Sequence, residues 1–242
     1  MFIQNYDKLN EVYLESRKLM TSTKSSTFMK RYPWYVWSLI LALPFIFIVL
    51  SGSISEETIQ FIDRSIGQPI LSLRNPTLTP FFIFLTDLGG TIFLGIFVLL
   101  TAVLCAWRYK NRSAALWLVL QSVLGAGLLN QLLKVIFQRA RPVIEHLVEQ
   151  GGLSFPSGHS MGSMICYGGI LFLLTKIIRQ KKLRIGLFIF AAILILLIGI
   201  SRIYLGVHFA TDVIGGFSAG AAWLSFTIGT YPKWKTVISR SK

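Results

Sequence analysis

The residues able to do chemistry in this chain are two histidines and the charges spaced around them. His208 and Asp212 are four positions apart, a spacing that puts two side chains on one helical face. A carboxylate there accepts a hydrogen bond from one imidazole nitrogen and leaves the other unprotonated, which makes His208 a better nucleophile. The run Pro156-Ser157-Gly158-His159 reads as a turn entering a helix. Its Gly158 amide and Ser157 hydroxyl fall where a helix N-terminus receives a phosphate oxygen. His159 is placed to protonate a leaving oxygen as general acid. Lys134, Arg141 and Arg202 add three cations. Such groups grip phosphoryl oxygens and stabilise the charge that spreads over them during transfer.

Each motif alone has an ordinary explanation. A histidine beside a carboxylate is often only a satisfied pair, Ser-Gly-His a helix cap, and a cation at a helix end a residue reaching for headgroups. Together they describe a site for an anion. Two histidines and an aspartate among three positive charges suit a phosphate far better than a metal ion, so no metal and no cofactor are expected. Arg139, Arg64 and Arg74 are assigned to the headgroup level without a role. His146, beside Glu145 in a loop, is expected to face solvent.

The elements that must position these groups are legible from composition. Of 242 residues 53% are hydrophobic and 14% charged. The charges are segregated, leaving uncharged runs at Tyr32–Ser55, Leu88–Trp107, Ser113–Leu133, Gln150–Thr175, Ile185–Ser201 and Val213–Pro232. Several approach the ~20 residues that span a bilayer. A single soluble domain, a disordered chain and a disulfide scaffold are excluded. The expected fold is all-α, a polytopic bundle of six transmembrane helices at about 34–52, 84–107, 113–133, 159–176, 185–203 and 209–230. Asp87-Leu88-Gly89-Gly90 interrupts the second, which is expected to begin after a short interfacial helix. An arm over 1–33, a membrane domain over 34–230 and a tail over 231–242 complete the organisation. The first apolar run does not read as a cleaved signal, because 31 residues precede it and five further runs follow. Cys105 and Cys166 sit inside apolar runs and read as small buried hydrophobes.

The net charge of +14 would suggest nucleic-acid binding in a soluble protein, but here topology accounts for it. Eighteen of the 24 Lys and Arg fall in the N-terminal segment, the 2–3 and 4–5 loops and the tail. That bias puts both termini in the cytoplasm and the 1–2, 3–4 and 5–6 connections outside. Lys134, Arg139, Arg141, His159, Arg202, His208 and Asp212 then gather at one outward level. Ionisable groups at membrane depth mark functional paths.

Lys134 with six residues before Arg141-Pro142, then Pro156-Ser157-Gly158-His159, then Ser201-Arg202 with five residues before His208 and three more before Asp212, resembles the three-part signature of the type 2 phosphatidic acid phosphatase (PAP2) superfamily. No motif position departs from it. The resemblance implies a metal-independent lipid phosphatase. By the same resemblance His208 is the nucleophile that forms a phosphohistidine, Asp212 its orienting carboxylate and His159 the general acid. Lys134, Arg141, Ser157, Gly158 and Arg202 are the phosphate-holding set.

The expected substrates are membrane lipid phosphates whose tails stay in the bilayer: phosphatidylglycerophosphate, undecaprenyl pyrophosphate, phosphatidic acid or diacylglycerol pyrophosphate. The short loops and basic cytoplasmic face suggest a bacterial plasma membrane, with no obligate protein partner. Two other classes use the same motifs. A phosphotransferase would pass the phosphoryl group to an alcohol or second lipid. A lipid-phosphate binder or transporter would use the cations, without needing the His208–Asp212 pair and His159.

Overall fold

The structure, a computed structural model, describes residues 33–52 and 55–240, with side chains as far as residue 231. The arm expected over 1–33 lies outside the described residues save for Pro33, and of the tail only the backbone to 240 is described. Ten helical segments follow one another. They are α1 (Pro33–Gly52), α2 (Glu56–Leu71), α3 (Thr79–Leu88), α4 (Thr91–Trp107), α5 (Arg112–Ser122), a π-helical stretch (Val123–Leu129), α6 (Asn130–Phe137), α7 (Gly158–Ile177), α8 (Lys181–Tyr204) and α9 (Ala210–Arg240). Among the described residues five continuous helices are long and apolar enough to cross a bilayer, and a sixth span arises if α3 and α4 are taken together. The chain is an all-α, multi-pass membrane protein.

The second span is broken rather than simply shortened. Helices α3 and α4 meet at 46° across Gly89-Gly90. A side chain at Gly89 would meet Ile198 and the His159 ring, whose Cδ2 lies 3.3 Å from the position of a Cβ. The break therefore lets two helix ends close over the site. The third span runs past its expected end, from the Asn111 cap that accepts the Ala114 amide at 3.1 Å to Phe137. Its middle turn is π-helical. Gln138 ends it in the left-handed region (φ 46°), its amide bonding Lys134 O at 2.9 Å. The 53–78 connection holds a full helix. Ser55 caps α2 by accepting the Thr58 amide, and Glu56 and Glu57 suit the positive end of its dipole.

Helix α7 sits centrally, packed on α4, α5, α8 and α9. Its closest neighbour is α9, because Gly216 and Gly220 leave no side chain between the backbones. A Cβ at Gly216 would lie 2.7 Å from Ser157 O, and one at Gly220 2.9 Å from Met161 O. Leu94, Trp117, Leu118, Met161, Ile165 and Cys166 form the main core, so Cys166 and likewise Cys105 are buried hydrophobes. Helix α1 is stitched to α9 by hydroxyls: Ser38 donates to Ala222 O at 2.7 Å and Ser225 to Trp34 O at 2.7 Å. Bulky side chains left exposed on α1, α4 and α8, among them Phe47, Ile92, Leu99 and Phe188, make an apolar outer surface. The run Ile185–Ile200 thus faces mainly outward, toward lipid.

Candidate functional site

Four stretches of chain converge on His208. The residue occupies the turn between α8 and α9, two positions before α9 begins, so it is not on the same helix as Asp212. The turn itself is held from two sides. The amides of Val207 and His208 reach back to Arg202 O at 3.2 and 3.3 Å. Gly206 adopts φ +80°, and a Cβ there would lie 2.7 Å from Glu145 O. Arg74 braces the same corner, donating from Nε to Tyr204 O at 2.7 Å and from Nη2 to Glu145 O at 3.2 Å. It is a structural strut, not a headgroup contact. His146 is half-buried against Pro142 O rather than solvent-facing.

Asp212 reaches back from the first turn of α9. Its Oδ2 accepts the Phe209 amide at 2.9 Å, the Ser154 hydroxyl, and His208 Nδ1 at 3.3 Å. The other imidazole nitrogen, Nε2, lies 3.2 Å from Arg141 Nη1. A guanidinium only donates, so Nε2 is the acceptor and Nδ1 carries the hydrogen. Burial pulls His208 down from its ordinary 6.5 to about 4, with Arg202 and Arg141 adding to the fall and Asp212 opposing it. The imidazole is neutral at neutral pH, with its lone pair on the side of Arg141.

The cations are held by backbone carbonyls. Lys134, in the last turn of α6, donates to Leu153 O at 2.5 Å. Arg141 binds Val207 O at 2.6 Å, Gly151 O at 2.9 Å, Gly152 O at 3.0 Å and Leu153 O at 3.1 Å. Arg202 is 1% exposed and meets Thr86 Oγ1 and Gln150 Oε1, each at 2.5 Å. Its Nε is buried without an acceptor among the described residues.

Ser157 begins α7 as expected, but its hydroxyl is fully buried and accepts from Ser160 N at 3.4 Å and Ser160 Oγ at 3.0 Å. Its amide donates to Asp212 O at 3.0 Å, which ties the turn directly to α9. Ser157 thus shapes the N-terminus of α7 from behind. Gly158 and His159 are its exposed part, and the His159 ring has no hydrogen-bond partner among the described residues.

A cavity of about 500 Å³ opens on this group. Lys134, Arg141, Gly158, His159 and His208 line its polar end, with Gln150 and the Gly151-Gly152 backbone. Leu94, Gly95, Val98, Val123, Ala126 and Gly127 line an apolar extension between α4 and the π-helical stretch. Ser157, Arg202 and Asp212 stand behind this wall. A larger cavity of about 740 Å³, between α1, α2 and the end of α6, touches Arg139 and Arg141 but neither histidine. The smaller one is where the reactive groups face. Among the described residues no three metal-ligating side chains of the His, Cys, Asp and Glu kinds come together.

Arg139 contradicts its headgroup assignment. Its Nη1 donates to Asp212 Oδ1 at 2.7 Å and to Thr211 Oγ1 at 2.7 Å, and its Nη2 binds Asp63 Oδ2 at 2.6 Å. Phe209 lies under it, 4.2 Å from ring centroid to Cζ. The left-handed turn at Gln138 re-aims the chain so that Arg139 points inward, which spacing alone does not reveal. Ser154, Thr86, Gln150 and Asp63 were also missed. Only Ser154, three residues before Ser157, carried a local hint.

The PAP2 superfamily model matches residues 115–235, and the chain is 36% identical over 179 residues to phosphatidylglycerophosphatase B of Bacillus subtilis (strain 168), covering 72% of this chain and 85% of that protein. The chain belongs to the PAP2 superfamily. It is also 28% identical over 204 residues to an undecaprenyl-diphosphatase of Sulfolobus acidocaldarius, covering 82% of this chain and 90% of that one. The crystal structure of a transmembrane PAP2-type phosphatidylglycerolphosphate phosphatase from Bacillus subtilis superposes with a TM-score of 0.75 at 32% identity, covering 81% of this chain and 96% of that one. The chain is a PAP2-type enzyme that hydrolyses membrane-lipid phosphates or pyrophosphates.

Proposed function

We propose that the chain acts through a phosphohistidine on His208, with its site on the outer face of a bacterial plasma membrane. The observation that carries this reading is the tautomer of His208: Nδ1–H toward Asp212 and the bare Nε2 beside Arg141 at the cavity wall. Nε2 attacks phosphorus, the P–O bond to the lipid breaks, and His159 gives its proton to the departing oxygen. A water then loses a proton to His159 and attacks phosphorus, breaking the P–N bond and releasing phosphate. Lys134, Arg141, Arg202 and the first amides of α7 hold the oxygens while charge develops on them. A phosphoryl oxygen would give the buried Arg202 Nε–H the acceptor that the protein does not.

The substrate class follows from the two ends of the cavity, cationic at one and apolar at the other. Phosphatidylglycerophosphate, undecaprenyl pyrophosphate, phosphatidic acid and diacylglycerol pyrophosphate share that polarity, and the names of the relatives support the first two. The bias of Lys and Arg toward the termini supports cytoplasmic ends and an outward site. The test is phosphate release by the full chain in detergent with chelator, across those four lipids, for wild type and His208→Ala. Activity that survives chelation, disappears in the variant, and passes through a base-stable, acid-labile protein-bound phosphate is the expected result. A requirement for metal, or an active His208→Ala, would overturn the mechanism. Loss of substrate exceeding phosphate release would make it a transferase.

A further inference from the structure

We infer that Arg139 and Asp63 are positioning residues for the His208–Asp212 couple, acting as one unit that joins α2 to the start of α9. This rests on the role proposed for His208. Arg139 occupies Oδ1 of Asp212, so that Oδ2 is the oxygen presented to His208. A carboxylate held only at Oδ2 is free to rotate about its last bond. Held at both oxygens, it has one orientation.

Asp63 does two things at once. Its Oδ2 fixes Arg139 Nη2 at 2.6 Å. Its Oδ1 accepts the Thr211 amide and the Thr211 hydroxyl, both at 2.8 Å. The Thr211 amide belongs to the first turn of α9, where backbone N–H groups have no partner within the helix. Asp63 thus caps α9 from another helix, while Asp212 caps it from within through the Phe209 amide. Thr211 Oγ1 accepts from Arg139 at 2.7 Å and closes the ring. Asp63 is buried, and Arg139 keeps a quarter of its side chain exposed toward the larger cavity. Buried charges persist when paired and fully hydrogen-bonded, and these are. Asp63 also lies outside residues 115–235 matched by the family model. The connection between the first two spans therefore contributes to the site although it carries none of the three motifs.

The charged and titratable groups around His208 are Asp212 on α9, Arg202 on α8, His159 on α7, Lys134 on α6, and Arg141 and Arg139 on the loop after α6. Removing the Arg139 charge leaves Asp212 less compensated, so His208 holds a proton more readily and the acid limb of kcat/KM moves to higher pH. The experiment compares Arg139→Gln, Arg139→Lys, Asp63→Asn, the Arg139→Gln/Asp63→Asn double variant, Arg64→Gln and His208→Ala. All are assayed on short-chain phosphatidic acid in detergent micelles, with active enzyme counted by trapped phosphoprotein. The expected result is a fall in kcat per active site of about 100-fold in Arg139→Gln, the scale of a misplaced reacting group. KM should change little and the acid limb should rise. Arg139→Lys should restore the limb but only part of kcat. The double variant should be no worse than Arg139→Gln, since the two residues act together. Arg64→Gln, one position from Asp63 but exposed, should match wild type. Wild-type kcat in Arg139→Gln would overturn the inference. So would a loss explained wholly by fewer active molecules with an unmoved limb, or multiplicative effects of the two substitutions. An active His208→Ala would instead remove the phosphohistidine reading, whatever Arg139 does.

Discussion

The protonation state of His208 gives a sharp prediction. An imidazole with the ordinary value of 6.5 would be neutral in only about 9% of molecules at pH 5.5, whereas one at about 4 is neutral in about 97%. The acid limb of kcat/KM reports the free enzyme. After division by the substrate's own phosphate titration, measured separately, kcat/KM at pH 5.5 should keep more than about nine-tenths of its value at pH 7.5. With an ordinary imidazole it would drop to about one-tenth. Stability moves in the same window. Between pH 6.5 and 4 the unfolded chain takes up a proton at His208 that the folded chain refuses, so stability falls as pH falls. The full difference is about 3 kcal/mol and is complete below the folded value. His208→Gln should remove that part of the pH dependence from thermal melts in detergent. A limb centred near 6.5, or melts of wild type and variant that run parallel over this range, would refute a buried neutral nucleophile.

His159→Gln should cost about 10²- to 10⁴-fold in kcat on a lipid with an alkoxide leaving group, and much less on an activated aryl phosphate. Equal losses on both would remove its role as acid. Inorganic phosphate at 100 times its Kd should stabilise the protein by about 2.7 kcal/mol. The shift, read as a change in melting temperature, should shrink in Arg202→Met, and an undiminished shift there would place the anion elsewhere. Gly216→Ala brings a methyl within 2.7 Å of Ser157 O and 3.0 Å of Ser160 Cβ, against backbone that cannot swing aside. It should cost about 1–3 kcal/mol by forcing α7 and α9 apart. It should lower activity too, because the Ser157 amide bond to Asp212 O crosses that contact; a variant with wild-type melting and turnover would show that the helices have room.

Helix number and placement were legible because uncharged runs of bilayer length leave little choice. The reactive set was legible because phosphate chemistry needs few residue types and their spacing is tight. Arg139 shows where such reading stops. It lies two positions from Arg141, and only the left-handed turn at Gln138 decides that one guanidinium meets the carboxylate and the other the imidazole. Asp63 was illegible for another reason, since its partners lie 76 and 148 positions away. The Ser157 hydroxyl was read as a ligand because a helix cap and a phosphate donor look alike in sequence; its burial decides for the cap.

The π-helical stretch at Val123–Leu129 has a consequence for how this span tolerates change in length. A π turn holds one residue more than an α turn. Deleting a residue there would let the backbone relax to ordinary helix while α5 kept its packing on α4 and α9. Everything downstream would rotate by about 100°, the turn per residue of an α-helix. Lys134 would swing off the cavity wall and the chain after Gln138 would leave α6 in another direction. The extra residue works as an indexing pin: it sets the phase between a lipid-facing half that only has to pack and an end that must aim a cation. A one-residue deletion at 123–129 should therefore leave an inserted, helical protein that no longer turns over, and adding the residue back anywhere within that turn should restore it.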